Sequence, residues 1–217
     1  MKILIACEYS GVVRDAFRKL GHDAWSCDLL PCDVDPTYHY QCDVFDVIDK
    51  GWDMMIAHPP CTYLCVSGAS WFYNPADKHL PVGLRRSHPK YPNRRFDQEQ
   101  AYEFFMKLAR ANIPKIAVEN SVGIVSRLWR KPDQIIQPWQ FGDEASKSTC
   151  LWLKNLPLLT PTKIVSRGEF IIHKSGKKTP KWYADALRLS PIERMKVRSK
   201  TFLGVANAMA EQWGITN

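Results

Sequence analysis

A chain of 217 residues with 45% hydrophobic and 24% charged side chains has the length and composition of one globular domain, which excludes disordered, collagenous and coiled-coil classes. No apolar run approaches the roughly 18 residues of a membrane span, and MKILIACEYSGVV offers neither a basic lead nor a small-residue cleavage site; with seven scattered cysteines, a cytoplasmic protein with reduced thiols and no membrane partner is expected. The formal net charge of +8 is unevenly divided: residues 1–60 hold five basic and ten acidic side chains, a net of −5, and residues 61–217 carry +13.

The first element is a buried-type strand, Lys2 to Glu8, followed by Ser10 as N-cap of an amphipathic helix through Val12, Val13, Ala16, Phe17 and Leu20 that stops at Gly21. Asp23 to Leu29 reads as the second strand, YHYQCDV as a third, and DMMIAHPP as a fourth closed by Pro59 and Pro60. Residues 62–96 form an irregular segment rich in Pro, Gly and Arg, longer than a compact domain usually tolerates without a use for it. A helix from Gln98 to Ala111 and a buried strand from Lys115 to Asn120 follow. QIIQPWQFG and STCLWLKNL are close enough to pair antiparallel, and the tail from Pro191 reads as one or two helices. Strands alternating with helices imply an α/β fold with an open, mostly parallel sheet and ligand sites at the carboxyl ends of its strands.

The strand ends hold the chemistry. The first ends in Glu8-Tyr9-Ser10-Gly11, a tight turn into a helix whose amino terminus suits an anionic or polar ligand group. The second ends in Asp28-Leu29, at the spacing where an acid grips ribose hydroxyls, and the third in Asp43-Val44, where a carboxylate can accept from an exocyclic amine. Together these fit an adenosine-containing ligand, while a single glycine in the first turn disfavours a dinucleotide. The fourth strand ends in His58-Pro59-Pro60-Cys61. Two prolines fix the backbone and hold Cys61 in a defined place, making it the candidate nucleophile. Cys7, Cys27, Cys42 and Cys150 lie in apolar runs and read as structural. The fifth strand delivers Glu119-Asn120 to the same edge. A thiol and a carboxyl group beside an adenosine site point to substitution on a pyrimidine: the thiolate adds to C6, the carboxyl group binds N3 and the exocyclic amine, and C5 attacks an activated carbon.

Two stretches supply the basic excess. Arg85 to Arg95 holds five cations and no acid, and Lys163 to Lys200 holds eleven cations against three acids, a footprint for a polyanion such as DNA. Arg85, Arg86, Arg94 and Arg95, interleaved with Tyr, His, Pro and Asn, suit phosphate contact.

The ordered set Tyr9-Ser10-Gly11, Asp28, Asp43, Pro60-Cys61 and Glu119-Asn120 resembles the motif series of cytosine-5 DNA methyltransferases, particularly the small ones of phages and prophages, from residue 1 to about 155. The resemblance implies a doubly wound, Rossmann-like methyltransferase sheet with a terminal antiparallel hairpin and S-adenosylmethionine as cofactor. The aminoacid moiety would lie by Glu8 to Gly11, the ribose on Asp28 with Leu29, the adenine on Asp43 with Val44, and His58 joins the cofactor residues. Cys61 is then the covalent nucleophile, with Pro60 and Asn120 beside it, and Glu119 the base-orienting acid. The partner implied is double-stranded DNA with its cytosine flipped out. The chain differs from the family at three places: Ser121 follows Glu119-Asn120 in place of Val, Lys147 stands where an Arg normally holds the cytosine carbonyl, and Gly204 and Asn207 are separated by two residues. About forty-five residues, 155–200, stand in place of a large target-recognition region, which predicts short or relaxed sequence specificity unless a partner protein supplies the reading.

Other readings fit less well. A zinc deaminase needs H-x-E with P-C-x-x-C, and neither is present; C-x4-C and C-x3-C spacings are poor for a metal cluster. A folate-dependent transferase acting on mononucleotides leaves the basic loop without a purpose. A catalytically silent DNA-binding or accessory protein of the same fold remains open.

Overall fold

The computed structural model describes residues 1–215. Its elements are β1 (Lys2–Ala6), α1 (Val12–Lys19), β2 (Asp23–Asp28), β3 (His39–Gln41), β4 (Met54–Ala57), α2 (Arg94–Ala109), β5 (Lys115–Ser121), α3 (Val125–Leu128), β6 (Gln134–Ile136) and β7 (Thr149–Lys154). A basic arm follows, with the strands β8 (Phe170–Ile172) and β9 (Lys178–Pro180) and the helices α4 (Lys181–Ala186) and α5 (Pro191–Ser199), before α6 (Leu203–Trp213) closes the fold.

Seven strands form one sheet in the order β3-β2-β1-β4-β5-β7-β6. The first five are parallel, and β7 runs antiparallel to both β5 and β6. This is a doubly wound, Rossmann-like α/β sheet with an antiparallel hairpin at one edge; β8 and β9 pair separately. The unbroken apolar runs of β1, β4 and β5 follow from burial on both faces. Ile3 and Ile5 of β1 pack with α1 and α6 in one core, while Leu4 and Ala6 pack with α2 and α3 in the other. Strand order reverses between β1 and β4, so the crevice at their carboxyl ends is where such a sheet takes ligands.

Two local expectations are corrected. Helix α2 begins at Arg94, four residues before Gln98, so Arg94 and Arg95 lie in its first turn and the irregular segment ends sooner. Ser10 is not the N-cap of α1. Gly11 takes that position at φ 71°, where a Cβ would come within 2.7 Å of Val34 and 2.8 Å of Arg14. The exposed N–H groups of the helix are met from farther away, by Glu8.

Candidate active site

At the end of β1, Glu8 is buried against the amino terminus of α1. Its Oε1 accepts from the Val13 N–H at 2.7 Å and from the Ser10 hydroxyl at 3.3 Å, and its Oε2 accepts from the Arg14 N–H at 3.2 Å. Burial pushes the Glu8 carboxyl above its ordinary range, opposed by the charge of His58 and by those hydrogen bonds. The helix end expected to receive a ligand is thus filled by the chain's own carboxylate. Tyr9 is also engaged elsewhere: its hydroxyl donates to the Lys196 carbonyl and lies 3.0 Å from the Ser199 hydroxyl, tying the first turn to α5, and Lys196 pairs with Asp33.

Next to this turn, a cavity of about 110 Å³ opens at the ends of β1 to β4, with Asp28, Leu29, Asp43, Val44 and Pro60 on its walls, all of them expected ligand or site residues. Asp28 and Asp43 each spend one oxygen on a backbone N–H two residues on, from Leu30 and Phe45. Burial raises the Asp28 carboxyl, with partial relief from the Leu30 N–H and from His39. The remaining walls were not foreseen. Cys7, Cys27 and Cys42, read as structural, line the cavity with Phe104 of α2. Cys27 and Cys42 lie 3.9 Å apart, sulfur to sulfur, and Cys7 turns the chain out of β1 at φ 59°, a conformation that side chains rarely adopt. Burial, with Asp28 and Asp43, pushes the Cys7 thiol up to about 12, so it stays protonated. Cys150 is buried in β7 as expected.

The ends of β4 and β5 meet beside that cavity. Ala57 and Val118 are register partners, so His58 and Glu119 emerge side by side, with His58 Nδ1 at 2.6 Å from Glu119 Oε2. Asn120 donates through its side-chain amide to the Pro59 carbonyl at 2.9 Å, bracing the turn that presents Cys61. Burial alone would raise Glu119; the charge of Lys147 and the hydrogen bond and charge of His58 reverse this and hold its carboxyl at about 2. The His58 imidazole moves the other way. Its burial disfavours charge, yet the hydrogen bond and charge of Glu119, with the charge of Glu8, raise it above the ordinary value. Its Nε2 is buried with no partner.

Cys61 has a partner that sequence reasoning missed. The Cys65 N–H donates to the Cys61 carbonyl at 3.0 Å, which sets the two residues one turn apart. The neighbouring Cys61, then the Ser67 hydroxyl and the following backbone, draw Cys65 down to about 5 against its burial. The neighbouring Cys65 and burial push Cys61 up, and Ser121 draws it down only in part. The turn is clamped by the loop after β5: Ile124 N–H donates to the Leu64 carbonyl, Val66 N–H to the Val122 carbonyl, and a Cβ on Gly123 would fall 1.9 Å from Leu64 O. C-x3-C spacing is a poor metal signature, yet it is the spacing of one helical turn, which brings two thiols together.

Among the four arginines of the first basic stretch, Arg94 is turned inward. Its guanidinium donates to the Thr62 carbonyl at 3.0 Å and lies 5.0 Å from the ring centres of both Tyr63 and Phe72, a brace for the long loop in place of a phosphate contact. Arg86 is outward but forked onto Asp77, and Arg85 donates to the Leu80 and Lys78 carbonyls. Arg95 reaches the Arg85 carbonyl and stacks over Tyr73 at 4.7 Å.

No helix among the described residues is long and apolar enough to cross a membrane, and no cluster of three or more metal-ligating side chains is found among them. No protein-family profile and no curated protein sequence matches the chain. Among solved structures, a protein described as a candidate DNA modification methyltransferase encoded within an E. coli prophage aligns over 87% of this chain at 13% identity with a TM-score of 0.43; the chain spans 55% of that protein's length.

Proposed function

We propose that the chain is an S-adenosylmethionine-dependent methyltransferase that modifies C5 of cytosine in DNA through a covalent adduct on Cys61. The observation that carries the proposal is the pairing of His58 with Glu119 at adjacent strand ends, with Cys61 three residues on from His58 and within the influence of the Glu119 charge, beside a cavity walled by Asp28 and Asp43. The residues present suit the adenosine part of S-adenosylmethionine: two carboxylates each keep an oxygen for hydroxyl and amine donors, and Val44, Phe104 and Pro60 supply apolar walls. When bound, the cofactor supplies a methyl carbon activated by its sulfonium.

The chain's own residues divide the remaining work. Cys61 loses its thiol proton to bulk water as its sulfur bonds C6 of the flipped base. Glu119, ionised at neutral pH, accepts from the exocyclic amine and orients the ring, while the raised His58 beside it is the proton reservoir for N3 as electrons move onto the ring. Lys147, whose charge reaches Glu119, is the candidate donor to the cytosine carbonyl. After C5 has taken the methyl group, release of the base requires C5 to lose its proton to bulk water as the C6–sulfur bond breaks and the ring double bond re-forms; the departing Cys61 thiolate then takes up a proton, and N3 returns its own to His58.

The test is incubation of the purified chain with DNA and methyl-labelled cofactor, followed by mass analysis of nucleosides. Label in 5-methylcytosine, together with a covalent complex on 5-fluorocytosine DNA that Cys61→Ser abolishes, is the expected result. Label in another nucleoside, or trapping that survives Cys61→Ser, overturns the proposal.

A further inference from the structure

A second cavity, of about 430 Å³, is lined by residues next to the ends of β6 and β7 and by the basic arm. Its place follows from register: Ser121 at the end of β5 faces Thr149, and Thr149 faces Ile136, so Ser148 and Gln137, which line the cavity, extend the same carboxyl edge past Glu119. Lys147, the neighbour of Ser148, already acts on Glu119. The far wall comes from the basic arm, with Arg167 and Phe170. Arm and sheet are joined by backbone bonds: Val165 N–H donates to the Trp139 carbonyl at 2.9 Å, and the Ser146 hydroxyl donates to the Arg167 carbonyl at 2.8 Å. The cavity is therefore built before any ligand arrives, and its size is that of an ordinary ligand pocket.

The lining has the chemistry of a nucleobase site. Trp139 offers an aromatic face with the Arg167 guanidinium 5.0 Å above its ring, and Phe170 adds a second, partly exposed ring. The edge groups remain usable. Ser148 accepts from the Gln137 amide at 2.8 Å and so keeps its own hydroxyl hydrogen to donate, while Ser146, having donated, keeps its lone pairs to accept. No carboxylate lines the cavity, and the adjoining arm from Lys163 to Lys200 carries eleven cations against three acids. That combination suits a base on a polyanionic strand better than an acidic peptide, which needs no stacking platform. The geometry points to a subsite for a nucleobase of the DNA flanking the flipped cytosine, held among Trp139, Phe170 and the Arg167 guanidinium that lies over the Trp139 ring; the edge groups of Ser146 and Ser148 would then set the preference at that neighbouring position. The inference rests on the DNA-substrate reading above.

The experiment is titration of fluorescein-labelled mixed-sequence duplex DNA with wild type, Trp139→Ala, Trp139→Phe and Arg167→Gln, over a range of salt, with photo-crosslinking to bromodeoxyuridine DNA. Trp139→Ala is expected to weaken binding about tenfold, the scale of one lost base–aromatic stack, with an unchanged slope against salt; Trp139→Phe restores most of the affinity, and the crosslink falls on Trp139 or Phe170. Wild-type affinity in both Trp139→Ala and Arg167→Gln, or crosslinks confined to the Arg85–Arg95 loop, would overturn the subsite while leaving DNA as substrate. Loss in Trp139→Ala that Phe does not repair, with a lowered melting temperature in both, makes Trp139 structural and also overturns it. Absence of salt-dependent DNA binding by the wild type removes the subsite and the functional reading together.

Discussion

Glu8 and Glu119 are buried carboxyl groups at the ends of neighbouring stretches of one sheet, and both exchange charge with His58, yet their ionisation is moved in opposite directions. Glu8 is paid for by backbone N–H groups and still lies above its ordinary range; Glu119 has Lys147 and a 2.6 Å bond to His58 and is held at about 2. The difference teaches how a fold separates two tasks within one residue type. A carboxylate surrounded by fixed amides closes a helix and has no capacity left over. One paired with His58 and lying in the field of Lys147 stays ionised.

The largest effect that would break this contrast is on turnover. Glu119→Gln should lower methyl transfer per folded molecule about 10²–10⁴-fold, because the amide neither carries the charge nor accepts as strongly. Glu8→Ala should act on stability alone, costing about 2 kcal/mol through the two orphaned N–H groups with much less change in turnover per folded molecule. Measuring both quantities on both variants decides the matter; equal losses of turnover would erase the distinction drawn between the two acids.

The pH dependence of stability sharpens it further. Glu119, lowered in the fold, contributes stability that is fully present above the ordinary 4.5 and is lost as pH falls toward about 2. Glu8, raised in the fold, contributes stability present below its ordinary value and lost as pH rises through its folded one. In urea melts, the gap between wild type and Glu119→Gln should therefore narrow from about pH 6 to about pH 3, and the gap to Glu8→Gln should widen. Gaps that move in the same direction would contradict the opposite shifts.

Much of this was legible beforehand, and the parts that were not share a cause. Unbroken runs such as LIA and IAV mark strands buried on both faces, so the strand ends, and with them Asp28, Asp43, Cys61 and Glu119, could be located by reading outward from apolar segments. The antiparallel pairing of β6 and β7 was likewise readable from two apolar runs a short turn apart. Pairings made in space were not. Local capping rules favour Ser10, because they cannot see a Glu8 side chain folding back across a helix end. Arg94 belongs by composition to a phosphate-binding run, but its loop lacks a core of its own and uses the guanidinium as one. Cys7, Cys27 and Cys42 sit in apolar runs as structural thiols do, and only the sheet order reveals that three strand ends make one wall.

A smaller effect is expected from the thiol pair. Cys65→Ser replaces the neighbouring thiol with a hydroxyl that does not ionise in the working range, and should slow turnover by no more than about tenfold. It should also abolish the thiol that iodoacetamide labels first near pH 6, because that thiolate belongs to Cys65, held at about 5. Labelling of Cys61 first in the wild type would show that the more acidic thiol of the pair is Cys61.

The smallest expected effect belongs to Lys147, whose charge is the leading influence holding Glu119 down. In Lys147→Ala only His58 remains to oppose burial, so the Glu119 carboxyl should rise from about 2 toward its ordinary 4.5, and the acid limb of the pH–rate profile should move up with it. Well above that limb the two possible roles of the ammonium separate. If it acts only through Glu119, turnover at neutral pH stays within about twofold of wild type; if it also binds the cytosine carbonyl, a further loss of about tenfold persists at every pH, the scale of one charged hydrogen bond. Lys147→Arg should restore both the limb and the plateau, because a guanidinium keeps the charge and supplies the donor. An acid limb that does not move in Lys147→Ala would show that His58 alone keeps Glu119 ionised.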